Sequence, residues 1–219
     1  MAPRDSFIRP VETSVVRRSA LERELSAVVG FDEPSVEREQ YPTPADVAAH
    51  LVHLAGMHND LVDTTVVDLG SGTGMFALGA VLLGAAPVVG IDCDRDALCI
   101  ARENERRVDP PVSPVWVCGD ATRLPLSLDE STVLMNPPFG AQQGNEHMDR
   151  AFLDTTAAIA TVSYSIHNAG SREFVESFVG DHDGAVTHAF AVDLDLPQQF
   201  EFHTAESRTI DAEAYRIEW

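Results

Sequence analysis

The run Asn136-Pro137-Pro138-Phe139 brings together groups that can act on a flat amino group. The Asn136 side-chain oxygen and the Pro137 carbonyl can each accept one of its hydrogens, while Phe139 offers a face for a ring to stack on. Pro137 and Pro138 stiffen the backbone and restrict the residue before them, so the acceptors are pre-aimed, and preorganisation of this kind lowers barriers. Read alone, the run is equally a proline turn after a strand. The apolar Val133-Leu134-Met135 before it reads as a buried strand, which places the run at a strand end.

A second constellation lies upstream. Thr65-Val66-Val67-Asp68-Leu69 reads as a buried strand running into Gly70-Ser71-Gly72-Thr73-Gly74 and then a helix from Met75 to Leu83. Glycines there let a ligand approach the backbone closely, with helix N-terminal amides facing it. A dinucleotide fingerprint needs a third glycine three places after Gly72, where Met75 stands. The Gly-x-Gly-x-Gly form after Asp68 points instead to S-adenosylmethionine as cofactor. Asp92 ends the next strand, Val88-Val89-Gly90-Ile91, where an acid can take two ribose hydroxyls. Asp94 is the neighbouring alternative, though its position before Asp96-Ala97-Leu98 suits a helix N-cap. A third strand, Val115-Trp116-Val117-Cys118, leads to Asp120 and Ala121, where the carboxylate meets an adenine amino group or is an ordinary turn aspartate.

Around these motifs, apolar spacing predicts helices over Val11 to Val29, Ala45 to Gly56, Arg95 to Arg107, Arg150 to Ala160 with Asp149 as cap, and Arg172 to Val179. Strands follow at Val162 to Ile166, Ala185 to Asp193 and Thr209 to Trp219, and residues 140–147 read as a loop able to close over substrate. Ligand residues at successive strand ends give an α/β fold: a doubly wound, mainly parallel seven-stranded Rossmann-like sheet whose last pair is antiparallel. One domain is expected over residues 1–219, with 1–10 flexible, a helical part over 11–60 and the catalytic sheet over 61–219.

At 44% hydrophobic residues the chain is not disordered, and no apolar run approaches the roughly 20 residues that span a bilayer. Met1 to Pro10 lacks a signal-peptide core, so a soluble, cytoplasmic protein without membrane contact is expected. Cys93, Cys99 and Cys118 form no Cys-x-x-Cys pair and read as small apolar residues. His50, His53 and His58 lack the acids or thiols that would complete a metal site, and no metal is assigned.

Together the motifs resemble the class I methyltransferases, and more closely the methyltransferase-like protein 5 family, which modifies N6 of an adenine in small-subunit ribosomal RNA. The resemblance spans Gly30-Phe31, Glu39-Gln40-Tyr41-Pro42-Thr43, Asp68 to Gly74, Gly90-Ile91-Asp92, Asn136 to Gly140, Asp149 with Ala151-Phe152-Leu153, Tyr164-Ser165-Ile166-His167, Asp195-Leu196-Pro197 and Phe202-His203. It implies that Gln40 and Thr43 join Asp68, Gly70, Gly72, Gly74, Asp92, Asp120, Ala121 and Asn136 around S-adenosylmethionine. It also implies that Asn136, Pro137, Pro138 and Phe139 hold the base, with His167 and His203 at the RNA. A further implication is a small zinc-binding activator protein paired on Val115 to Cys118, an edge strand with apolar side chains and no charge. Relatives carry basic residues where this chain has Asn168 and Thr204-Ala205-Glu206, which leaves Arg172 and Arg208 as candidate phosphate contacts. The closest rival is a protein glutamine N5-methyltransferase, because a side-chain amide presents the same planar amino group to the same frame, and a non-catalytic cofactor-binding scaffold is the rival of another class; the intact Asn-Pro-Pro-Phe argues against the scaffold.

A net charge of −20 ordinarily argues against nucleic acid as partner. Yet the chain contains no lysine, and its acids are spread along its length, a pattern suited to a high-salt cytoplasm. Near 1 M salt the Debye length is ~3 Å, so net repulsion is screened and close arginine contacts still count. The melting temperature is accordingly expected to rise across a potassium chloride series; higher stability at low salt would contradict a halophilic character.

Overall fold

The computed structural model describes residues 16–124, 128, 130–139, 148–197 and 207–219, with the side chains of 195–197, 207 and 208 outside that description. Six helices and seven strands follow one another among these residues: α1 Arg18–Leu25, α2 Ala45–Met57, β1 Thr65–Leu69, α3 Met75–Leu82, β2 Val88–Asp92, α4 Arg95–Val108, β3 Val115–Cys118, β4 Ser131–Met135, α5 Met148–Ile159, β5 Val162–Asn168, α6 Arg172–Asp181, β6 Ala185–Pro197 and β7 Ser207–Glu218. The expected sheet is present, in the order β3-β2-β1-β4-β5-β7-β6. Strands β1 to β5 run parallel, and β7 is antiparallel to both β5 and β6.

Alternation along the strands feeds two cores. Val66 and Leu134 face a cluster with Leu21, Leu51 and Leu78 from α1, α2 and α3. Val67, Val133 and Met135 face the other side, against Phe152, Leu153, Val175 and Phe178 from α5 and α6. Helices on both faces of a parallel sheet need such runs of apolar residues, as in the fully buried β4.

The chain departs from the sequence expectations at several edges. Helix α1 stops at Leu25, short of Val29, while residues 11–15 of the expected helix lie outside the description. Asp149 sits inside the first turn of α5, accepting from Arg150 N at 2.8 Å, and does not cap it from outside. The three cysteines are free, as expected, but exposed and not packed as small apolar residues. Among the described residues no helix is long and apolar enough to cross a membrane, and no group of three or more metal-ligating side chains forms. The loop expected over 140–147 lies outside the described residues.

Edge strand β3 divides its side chains by face. Val115 and Val117 are 55% and 37% exposed, whereas Trp116 turns under the sheet and donates its ring N–H to Glu105 Oε2 at 2.8 Å. Its ring occupies the space that side chains on Gly90 and Gly74 would need: a Cβ on Gly90 would lie 2.4 Å from the ring, and one on Gly74 2.6 Å. Gly90 of β2 and Gly74 at the end of the glycine loop therefore make the bed in which the indole supports that loop. Gly90→Ala is expected to destabilise the protein by ~1–3 kcal/mol in urea unfolding through overpacking. Trp116→Leu in the same chain should recover much of that loss, and simple additivity of the two losses would contradict the contact.

Candidate active site

Parallel register aligns the ends of three strands. Leu69 pairs with Ile91 on one side and Met135 on the other, so Gly70, Asp92 and Asn136 emerge side by side at the carboxyl ends of β1, β2 and β4. Strand order reverses at β1, the place where open α/β sheets leave a crevice. A cavity of about 200 Å³ occupies it, lined in part by Asp68, Gly70, Ser71, Gly72, Asp92 and Asn136.

The glycine loop folds tightly against β2. Gly70 N and Ser71 N both donate to Ile91 O at 2.9 Å, and Gly70, Gly72 and Gly74 adopt φ of 75°, 50° and 92°. Such left-handed backbone suits glycine. Asp92 is locked from two sides, Oδ2 accepting from Gly72 N at 2.7 Å and Oδ1 from Asp94 N at 2.8 Å. Burial raises its carboxyl above the ordinary value despite these amides. Asp68, which lines the cavity, also serves the helix that follows the loop. Gly74, at the N-cap of α3, has no side chain to accept from the helix, and Asp68 Oδ2 takes Ala77 N at 2.8 Å in its place. Burial, with the nearby Asp92 charge adding, pushes the Asp68 carboxyl up to about 7.

A wall built from residues 29–43 closes the other side. Asn104, fully buried on α4, accepts from Val29 N at 3.0 Å and donates to Val29 O at 2.9 Å and Thr73 O at 3.0 Å, tying wall to loop. The Phe31 ring lies against Gly72, where a Cβ would be 3.0 Å away. Arg38 and Gln40 both donate to Asp94 Oδ2, at 2.6 and 2.7 Å, while Gln40 Oε1 accepts from Ser35 N at 2.8 Å. Gln40 borders the cavity as expected, but its amide is engaged in holding the wall. Asp94 is the N-cap of α4, accepting from Asp96 N, and also the latch for the wall. Asn104, Arg38 and the role of Phe31 were missed by sequence reasoning. Their signal is tertiary: an asparagine inside an amphipathic helix has no local cue to its partners.

Asn136 stands where the cavity meets a smaller cleft. Its Nδ2 donates to the Thr43 hydroxyl at 3.1 Å, which fixes the amide and explains the buried Thr43. Its Oδ1 is buried and has no hydrogen-bond partner. The cleft is lined by Asn136, Pro137, Pro138 and Phe139 together with Leu194 of β6 and Ile210 of β7. Those two apolar residues come from strands that sequence reasoning did not link to the site.

The remaining candidates divide. Asp120 and Ala121 line the cavity, and Asp120 Oδ1 accepts from Thr122 N at 2.9 Å and Thr122 Oγ1 at 2.7 Å, so the carboxylate closes a turn at the cavity's border. His167 is corrected from the substrate set: it is buried within β5, borders neither space, and keeps its Nε2 on Ser165 Oγ at 3.0 Å. Burial lowers its pKa to about 4, so the ring is neutral. Arg172 is exposed at the start of α6 and paired with Glu176 at 2.8 Å, apart from both spaces. His203 and the Arg208 side chain lie outside the described residues.

The residues fit S-adenosylmethionine. A glycine loop, a strand-end carboxylate and two buried polar atoms without partners, Ser71 Oγ and Asn136 Oδ1, face one space of small-molecule scale.

Comparison with known proteins agrees with this geometry. The family model for ribosomal protein L11 methyltransferase (PrmA) matches residues 52–111. An uncharacterized protein of Methanocaldococcus jannaschii is 33% identical over 93% of this chain and 95% of its own length. The rRNA N(6)-adenosine-methyltransferase METTL5 of Danio rerio is 34% identical over 90% of this chain and 96% of its own. A crystal structure of an RNA methyltransferase candidate from Pyrococcus horikoshii superposes with a TM-score of 0.83 at 36% identity, covering 93% of this chain and 98% of that one. With near-complete coverage of both partners, the chain belongs to the METTL5 family of rRNA N6-adenosine methyltransferases.

Proposed function

We propose that this chain methylates N6 of one adenosine in small-subunit ribosomal RNA with S-adenosylmethionine, working with a small zinc-binding activator protein docked on β3. The observation that carries the reading is the Asn136 side-chain oxygen, buried, unpartnered and set where the cofactor cavity meets the cleft. The relatives named as rRNA N6-adenosine methyltransferases supply the substrate class.

Bound S-adenosylmethionine supplies an electrophilic methyl group on a positively charged sulfur. Asp92 holds the ribose end with its carboxylate already oriented by Gly72 and Asp94, and Asp120 and Ala121 border the nucleobase end. A flipped or looped-out adenine enters the cleft, where Phe139 supplies a stacking face worth ~1–3 kcal/mol. N6 is a poor nucleophile because its lone pair is delocalised into the ring. Asn136 Oδ1 and the Pro137 carbonyl accept its hydrogens and favour a localised pair directed at the methyl group. Thr43 contributes by holding the Asn136 amide, and positioning carries the rest of the rate.

The activator reading rests on β3. Its outer side pairs with no strand among the described residues, and Val115 and Val117 stand exposed on an edge without charge. Such edges are usually covered. A strand added there would also brace Trp116, which lies under the glycine loop.

Deleting the gene is expected to erase one N6-methyladenosine from small-subunit ribosomal RNA, mapped by mass spectrometry. Complementation with the wild-type gene should restore it, and Cys118→Pro should not: Gly119 N donates to Asp92 O, so backbone donors alternate and Cys118 N faces the open side of the edge strand. An unchanged map after deletion would overturn the substrate assignment; full restoration by Cys118→Pro would overturn the docked partner alone.

A further inference from the structure

Glu39 is an unusual residue for its position. It is 8% exposed and adopts φ of 50°, in the left-handed region that glycine occupies freely and other residues only at a cost. The turn around it enforces that conformation. Glu39 N donates to Val36 O at 3.1 Å, Gln40 N to Ser35 O at 3.1 Å, and Tyr41 N to Glu39 O at 2.9 Å. Gln40 then fastens the turn to Ser35 and Asp94. Strained backbone concentrates where function requires a particular side chain, and here the side chain is an acid.

Its location supplies the requirement. Glu39, Tyr41, Pro42, Asn136 and Pro138 line both the cofactor cavity and the base cleft. Of these five, Glu39 alone carries a carboxylate. We infer that Glu39 is the counter-charge of the methyl transfer, facing the positive charge on both sides of the junction. When N6 takes the methyl group, the carbon–sulfur bond breaks with its electron pair left on sulfur, and the nitrogen becomes cationic until it sheds a proton to water. The charge thus moves from the cavity to the cleft. A carboxylate bordering both spaces attracts it at either end, so the attraction does not hold the charge back on sulfur. In a half-buried site one such pair is a large interaction. The spent product, S-adenosylhomocysteine, is neutral at sulfur, so Glu39 also separates donor from product and favours their exchange.

This inference rests on assigning the cavity to S-adenosylmethionine, and calorimetry on the intact chain tests the two separately. Wild type is expected to bind both S-adenosylmethionine and S-adenosylhomocysteine; binding of neither would overturn the cavity assignment and the inference with it. Glu39→Gln, nearly isosteric, should weaken S-adenosylmethionine about tenfold and leave S-adenosylhomocysteine within about twofold. Glu39→Asp keeps the charge and tolerates left-handed backbone, so it should retain most of the wild-type preference between the two. Equal losses for both ligands in Glu39→Gln, or no loss for either, would show that Glu39 shapes the turn without acting on charge.

Discussion

One acceptor oxygen left without a partner organises this protein. A buried carbonyl with no hydrogen bond costs ~1–3 kcal/mol, and native chains nearly always satisfy such groups. Asn136 Oδ1 is nevertheless left open, while the nitrogen of the same amide is held by Thr43. On the proposed function, the cost falls on the free protein and is relieved when an amino group arrives. A site of this kind recognises what can donate in the right plane and turns the same contact toward catalysis.

Everything near that oxygen serves to hold it beside the cofactor cavity. Parallel pairing of β1 with β2 and β4 brings Gly70, Asp92 and Asn136 to one level. Below the loop, Trp116 fills the room that two glycines leave; across the cavity, Asn104 and Asp94 fix the wall that carries Phe31, Arg38 and Gln40. Away from the site, Arg216 joins Asp60 at 2.8 Å and also donates to Thr187 and Glu218, fastening the segment after α2 to β6 and β7. Tyr164 adds its hydroxyl to Asp60, and burial keeps that hydroxyl protonated. That network anchors the antiparallel strands from which Leu194 and Ile210 reach the cleft.

Much of this was legible in the sequence because its signals are local. A strand followed by glycines, an acid at a strand end, and Asn-Pro-Pro-Phe after an apolar run each declare their place without reference to the rest of the chain. The doubly wound order follows from their succession. Contacts between distant segments were not legible. Nothing near Trp116 announces that Gly74 and Gly90 make its bed, and nothing near Asn104 names Val29. His167 was assigned to the RNA by family resemblance alone, with no local signal of its burial. The fully buried core of β5, flanked by β4 and β7, places it inside instead. Gln40 shows an intermediate case: its position by the cavity was foreseen, but its amide holds neighbouring chain.

The central claim is that Asn136 acts on the accepting amine and leaves cofactor capture to other residues. Its most direct test compares wild type and Asn136→Ala in two assays on the same preparations: S-adenosylmethionine affinity by calorimetry and single-turnover methyl transfer to small-subunit ribosomal RNA. The account predicts a cofactor Kd within about threefold of wild type and a transfer rate lower by ~10²–10³-fold, the scale of losing one preorganised group in a reacting centre. Transfer within a few fold of wild type, or a loss of cofactor binding that accounts for the loss of rate, would contradict it.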